Sequence, residues 1–295
     1  MRRRAFLASA GIAALAGCNG DGSTTATPTP TATGTETSTT TGTFTDSGNA
    51  EFEFVSAEST EKISINVPTT FGLVVRNVGS GPGTFTATLE TRLNDGEWSQ
   101  GGEIEMPLSA GETGEWHSPR FSLQYLGTYQ FRLSAFDETW SIETTPRRLD
   151  FGNYYAVPTN LFINVLGGSF EEEYPTAEDG TGNATTTATS TTDTAAPTPA
   201  DGDIWAVMQI DVRNALEEPQ STPDPSEFVL EVDGERRPQH QSVSDNPYDG
   251  GELAGRTVER GELVYAVPAG TQARDITLWW ESSLPGGTVK SIWTK

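Results

Sequence analysis

Alternation of apolar and polar side chains at period two constrains this chain more than any other feature. Thr84-Phe85-Thr86-Ala87-Thr88-Leu89-Glu90 alternates strictly, placing Phe85, Ala87 and Leu89 on one face. Tyr129, Phe131, Leu133 and Ala135 alternate with Gln130, Arg132 and Ser134. Ile204, Ala206, Met208, Ile210 and Val212 form another such face. So do Phe228, Leu230 and Val232, and Ile276, Leu278 and Trp280. Successive side chains of a strand point to opposite sides, so this pattern specifies half-buried antiparallel strands rather than helices. Turn residues separate the runs: Gly79-Ser80-Gly81-Pro82-Gly83, Asn94-Asp95-Gly96, Asp233-Gly234 and Pro285-Gly286-Gly287. No amphipathic helical pattern follows residue 18. The expected fold is all-β, with two immunoglobulin-like sandwiches.

A weak internal repeat supports the count of two. Val75-Arg76-Asn77 and Val212-Arg213-Asn214 each end a strand run. Asn suits that place because it tolerates left-handed geometry and bonds nearby backbone. Ala110-Gly111-Glu112 and Arg260-Gly261-Glu262 are expected just before a later strand in each half.

Two tracts interrupt the strand pattern, Ser23–Thr43 and about Thr176–Ala200. Both are dominated by Thr, Ser, Ala, Pro and Gly. They help explain why hydrophobic residues make up only 34% of the chain, against roughly 45–50% for ordinary domains, a figure that also counts Gly. Such segments cannot bury enough apolar surface to offset their ordering entropy, so both are expected to be disordered. The second holds the sequon Asn183-Ala184-Thr185, an acceptor for N-glycosylation.

The N-terminus carries Arg2, Arg3 and Arg4 ahead of an apolar run, Ala5–Ala16. A helix over that run spans about 18 Å, too short for the roughly 30 Å of a hydrocarbon core. It fits an export signal instead. The run ends Leu15-Ala16-Gly17-Cys18, which resembles the lipobox of bacterial and archaeal lipoproteins; the resemblance implies a lipid on Cys18. Arg3-Arg4-Ala5-Phe6-Leu7 resembles the twin-arginine export signature, which implies that Arg3 and Arg4 direct export of a folded chain.

Net charge excludes one class of partner. The chain has 18 Lys and Arg against 41 Asp and Glu, a formal −23, and losing the leader removes three more positive charges. No basic face is available to neutralise phosphates, so nucleic acid is not an expected partner. Lys occurs only at 62, 290 and 295. An acidic, Lys-poor chain suits molar salt, where the Debye length of about 3 Å screens self-repulsion. A haloarchaeal type of host is therefore expected.

The residues offer no catalytic constellation. Cys18 is the single cysteine, which excludes disulfides within the chain and Cys-cluster metal sites. His117 and His240 fall in different halves, so no shared zinc or catalytic base is expected. A copper site of the blue type needs a free Cys, and neither a Gly-x-Ser-x-Gly elbow nor a phosphate-binding Gly-rich loop is present. The expected site inventory is no catalytic, cofactor-binding or metal residue. Ser244–Glu252 and Glu171-Glu172-Glu173 carry oxygens suited to Ca²⁺, but without EF-hand spacing; they read as solvated acidic loops. The seven Trp residues read mainly as core, with aromatic platforms for sugars or partners as the other use.

Two family resemblances cover most of the chain after residue 50. Phe71–Gly79, Leu108–Glu112 and Gly127–Phe131 resemble the cell-adhesion-related (CARDB-like) immunoglobulin-like module, over residues 51–145. Trp205–Asn214, Ser226–Leu230 with Asp233-Gly234, and Arg260–Pro268 resemble an immunoglobulin-like extracellular lipoprotein domain, over residues 158–282. That family carries a telomeric-repeat-binding-factor label without functional weight. The second resemblance implies that Leu161–Phe170 is a first strand and that the tract at 176–200 is an insertion behind it. The rival arrangement makes the tract an interdomain linker.

The expected organisation is a signal peptide at 1–18, a Thr-rich stalk at 19–50, one sandwich at 51–150 and a second at 151–295. The expected role is a membrane-anchored extracellular lipoprotein, non-enzymatic, held by the lipid on Cys18, with a cell-surface protein or glycan as partner. A ligand-delivery lipoprotein of a transporter is the alternative, and a surface hydrolase the third.

Overall fold

The computed structural model describes residues 48–136, 138–175 and 197–295. Arg3, Arg4, Cys18 and Asn183 lie outside them, as do all of the first Thr-rich tract and most of the second.

The described residues are all-β apart from two single 3₁₀ turns, Pro225–Glu227 and Gln241–Val243. The first half contributes β1 (Phe52–Glu58), β2 (Lys62–Ser64), β3 (Pro68–Thr69), β4 (Gly72–Asn77), β5 (Gly83–Leu93), β6 (Ser99–Leu108), β7 (Thr113–His117), β8 (Phe121–Ser122), β9 (Gly127–Leu133) and β10 (Thr139–Thr145). The second contributes β11 (Arg147–Asp150), β12 (Tyr154–Ala156), β13 (Leu161–Glu171), β14 (Asp203–Asn214), β15 (Gln220–Thr222), β16 (Phe228–Val232), β17 (Glu235–Arg236), β18 (Gly251–Leu253), β19 (Val258–Pro268), β20 (Ile276–Leu284) and β21 (Gly287–Thr294).

Each half is a sandwich, and the two are alike in strand order, except that the second adds β12 and its parallel edge strand β11 precedes β13 whereas β2 follows β1. Sheet β1-β4-β7 faces β2-β10-β9-β5-β6 in the first. In the second, β12-β13-β14-β19 faces β11-β21-β20-β16-β17. The pairs β2/β10 and β11/β21 are parallel; the other pairings are antiparallel. The alternating faces meet between the sheets. Phe85, Ala87 and Leu89 join Phe71, Leu73, Val75, Ile104 and Leu133 in one core. Ala206, Met208, Ile210 and Val212 join Phe228, Leu230, Ile276, Leu278, Trp280 and Trp293 in the other. Each fully buried Leu, Ile or Phe contributes roughly 1.5–3 kcal/mol.

Three placements differ from the sequence reading. Strand β11, counted there with the first sandwich, pairs with the C-terminal strand β21 of the second, so the chain crosses at Pro146. Gly261 lies inside β19 rather than before it. The structural counterpart of Gly111 is Arg256. Gly111 has φ 75° and Arg256 φ 60°, and the residue after each accepts from the strand-ending Asn: Asn77 N–H to Glu112 O at 2.8 Å, Asn214 N–H to Thr257 O at 3.0 Å. Sequence comparison aligned Gly with Gly, but backbone conformation rather than residue type marks the equivalence. Third, β14 is covered on both faces at its start. Trp205 and Val207 pack with Tyr174, Val264 and Ala266 in a small outer core, with Val243 against it.

The second Thr-rich tract joins β13 to β14, antiparallel neighbours in one sheet. Its two ends meet. Pro197 O accepts from Trp205 Nε1 at 2.9 Å and from Tyr174 N–H at 3.4 Å.

The two sandwiches are in direct contact. Ile65, from the first, is completely buried and belongs to the core of the second, against which Tyr125 and Leu126 also pack. Leu126 N–H donates to Thr288 O at 2.7 Å, and Asn66 Nδ2 donates to Ala156 O at 2.7 Å. A Cβ at Gly286 would lie 2.4 Å from the Tyr125 ring, so the approach needs glycine there.

Candidate functional site

The two histidines stand apart. His117 Nε2 lies 2.8 Å from Glu115 Oε1, both side chains more than half exposed. His240 belongs to the second sandwich, its ring edge-on to Trp205 at 5.2 Å.

The polar loop before β18 is a structural cover. It runs along β19, with Tyr248 N–H donating to Glu262 O at 2.9 Å and His240 N–H to Val264 O at 2.7 Å. Glu262, not singled out by the sequence, gathers it: Ser244 Oγ and Tyr174 Oη donate to its Oε2 at 2.7 and 2.6 Å. Tyr248 is fully buried and donates to Pro223 O at 2.8 Å. The Ser244 and Tyr248 hydroxyls are thus engaged with the protein, while Asp245, Asp249 and Glu252 are exposed. Among the described residues no three or more His, Cys, Asp or Glu side chains converge on a common point.

The tryptophans divide as their strands dictate. Trp205, Trp280 and Trp293 are buried, and Trp116 and Trp140 pack against the first core. Trp98 and Trp279 lie half-buried, each beside two cations. Arg236 and Lys290 stand 5.1 and 4.0 Å from the Trp279 ring, and its indole N–H donates to Glu231 at 3.0 Å. Arg92 and Arg132 stand 4.6 and 4.3 Å from Trp98. These clusters satisfy themselves. Lys290 pairs with Glu281 at 2.8 Å, Arg132 with Glu90 at 2.6 Å, and Arg92 bonds Gln130 at 2.6 Å. Cation–aromatic contacts of this sort contribute about 0.5–1 kcal/mol at exposed sites.

Two open depressions mark the second sandwich. One, of about 500 Å³, is mostly apolar, with Phe151, Leu166, Phe170, Met208 and Ile276 in its wall. The other, of about 350 Å³, is polar. Arg147, Arg148, Leu149, Asp150, Asn153 and Tyr154 line it. The sequence reading did not single out these residues. The signal available to it was an Arg-Arg doublet beside a Tyr-Tyr doublet in a chain poor in cations.

No family model matches the sequence. No curated protein matches it. The two family resemblances therefore rest on the quoted motifs alone. Among solved structures, the presumed lipoprotein YcdA of Bacillus subtilis is 12% identical, with a TM-score of 0.33 over 50% of this chain and 39% of that one. The YjhA protein of Bacillus subtilis is 13% identical, with a TM-score of 0.33 over 49% and 97%. An uncharacterised β-sandwich protein of Clostridium difficile is 10% identical, with a TM-score of 0.32 over 52% and 95%. This chain spans about two fifths of the length of YcdA. Among the described residues no helix is long and apolar enough to cross a membrane.

Proposed function

We propose that this chain is an exported lipoprotein, anchored by a lipid on Cys18, whose two sandwiches form a non-enzymatic binding or structural body at the cell surface. The first sandwich is read as a cell-adhesion-related module and the second as an extracellular lipoprotein domain. The observation that most supports the reading is the packed joint. Ile65, Tyr125 and Leu126 pack against the core of the second sandwich, and such apolar contacts favour the two sandwiches acting as one body. A body of that kind holds its outer faces at fixed positions, which suits display better than a catalytic cycle of opening and closing. A ligand-delivery protein built as two lobes would need a cleft where this joint is filled.

The anchor is tested by Cys18→Ser. The variant is expected in the soluble fraction, while the parent chain stays with membranes. Retention of the variant on membranes after a high-salt wash would sink the reading. One acyl chain gives only marginal binding, so the anchor is expected to carry two.

A further inference from the structure

Residues paired across neighbouring strands point to the same side of a sheet. In β12-β13-β14-β19 the inward side chains, Tyr155, Ile163 and Val212 among them, are buried in the core. Their outward neighbours form two rows across all four strands. Ala156, Phe162, Arg213 and Val258 make the first row; Tyr154, Asn164, Asp211 and Arg260 make the second. The Tyr154 and Phe162 rings meet edge-on at 5.3 Å, and Arg260 Nε lies 3.3 Å from Asp211 Oδ2. Farther along β14 and β19 the chain covers this outer side itself, with Tyr174 and Val243 over Trp205, Val207, Val264 and Ala266. The two rows are open: Ala156, Arg213 and Arg260 are exposed, Tyr154 is 61% exposed and Val258 37%.

The equivalent face of the first sandwich differs in kind. There β1, β4 and β7 present Glu53, Glu58 and Glu115 around Val74 and Arg76. In a chain of net charge −23 such a face repels another copy. The two rows of the second sandwich hold one carboxylate, Asp211, against two guanidinium groups. Tyr, Phe, Val and Arg side chains make up most of the rest, the composition of interface cores. The rows are also self-complementary. A two-fold axis running across the strands between them turns one copy over onto the other and sets the first row against the second. Arg213 then meets the other copy's carboxylate at Asp211. The small Ala156 leaves room for the Tyr154 ring, and Val258 meets the aliphatic stem of Arg260.

We propose that this face pairs with the same face of a second copy in a reversible dimer. Four strands about 4.8 Å apart make the face roughly 20 Å wide, small for a permanent interface, so the pairing is weak. The inference goes beyond the surface reading and does not depend on the lipid. The test is sedimentation equilibrium of the full chain in density-matched detergent and molar KCl. There net self-repulsion is screened, while an ion pair inside the interface is screened far less. Monomer and dimer should exchange with protein concentration. Arg213→Asp should weaken the dimer at least about tenfold by opposing two carboxylates, without moving the melting temperature. Asp211→Arg should weaken it likewise. The double variant Arg213→Asp, Asp211→Arg should restore the dimer, and an equimolar mixture of the two single variants should form mixed dimers. Glu115→Arg, on the equivalent face of the first sandwich, should leave association unchanged. A parent chain that stays monomeric throughout, association unmoved by Arg213→Asp, or no recovery by either route would overturn the proposal. Dimers formed by a chain that proves not to be membrane-anchored would uphold it and sink only the surface reading.

Discussion

Asn77 and Asn214 are both completely buried, and three of their bonds correspond in the two sandwiches. Asn77 Nδ2 donates to Gly81 O and Leu108 O at 2.9 and 3.2 Å, and its Oδ1 accepts from Gly79 N–H at 3.0 Å. Asn214 Nδ2 donates to Glu218 O and Leu253 O at 2.8 and 3.2 Å, and its Oδ1 accepts from Leu216 N–H at 2.9 Å. Each side chain staples the end of one strand to the loop that leaves it and to a neighbouring segment. Replacement by Ala strips partners from buried backbone groups, so each variant should lose about 2–3 kcal/mol in urea unfolding. Asp should not rescue either site, because a carboxylate cannot donate to the carbonyls. A loss below about 0.5 kcal/mol in both Ala variants would show that water replaces the staple. Tyrosines set the alkaline limit. Burial holds the hydroxyls of Tyr155, Tyr248 and Tyr265 neutral by raising them well above the ordinary value of 10.0. With the folded value raised, their stability contribution is complete below pH 10 and falls as pH rises beyond it toward the folded values. Tyrosinate absorbance should therefore show these residues ionising together with unfolding, as one cooperative step. A gradual, independent titration before loss of β-sheet circular dichroism would refute this.

At the scale of elements, the informative pair is β13 and β14. They are bonded along most of their length, although the second Thr-rich tract separates them in sequence. Tyr174, Pro197 and Trp205 close the base of that excursion. Deleting residues 176–196 and joining Pro175 to Pro197 should shift stability by at most about 1 kcal/mol, since loop-closure entropy changes slowly with length. Truncation is a sharper probe. A fragment beginning at Asp201 loses β13 and bares the edge of β14, so it should aggregate or melt early. One beginning at Asn153 keeps that pair but loses β11, and so bares β21. One beginning at Arg147 keeps both. Melting temperatures should rise in that order. Equal stability of the first and last would mean that β13 is dispensable and the excursion reading wrong.

For the whole molecule, the joint decides whether two sandwiches behave as one unit. Ile65 is buried in the core of the other sandwich, and Tyr125 is seated directly against Gly286. Coupling of this kind should merge the two unfolding transitions into one in calorimetry. Gly286→Leu would push a side chain into the Tyr125 ring and open the joint, so the single transition should split in two, with the second sandwich melting first. Ile65→Asn is expected to do the same by placing a polar group in that core. Two separate transitions in the parent chain would show that the joint contributes little.

The all-β class and the inward residues were legible in the sequence because the period of a strand is a local property. Phe85, Ala87 and Leu89 had to share a side whatever they faced. The repeated Asn was legible too, since a strand end constrains residue type. Other features arise from segments far apart in the chain, and these were not legible. Nothing in Arg147–Asp150 announces a partner at Ser291–Thr294, because parallel pairing to a distant strand leaves no local pattern. Arg256 hid its equivalence to Gly111 because conformation was kept while residue type was not. The tertiary structure alone made Trp205 and Val207 a second buried face, by laying Tyr174 and Val243 over them.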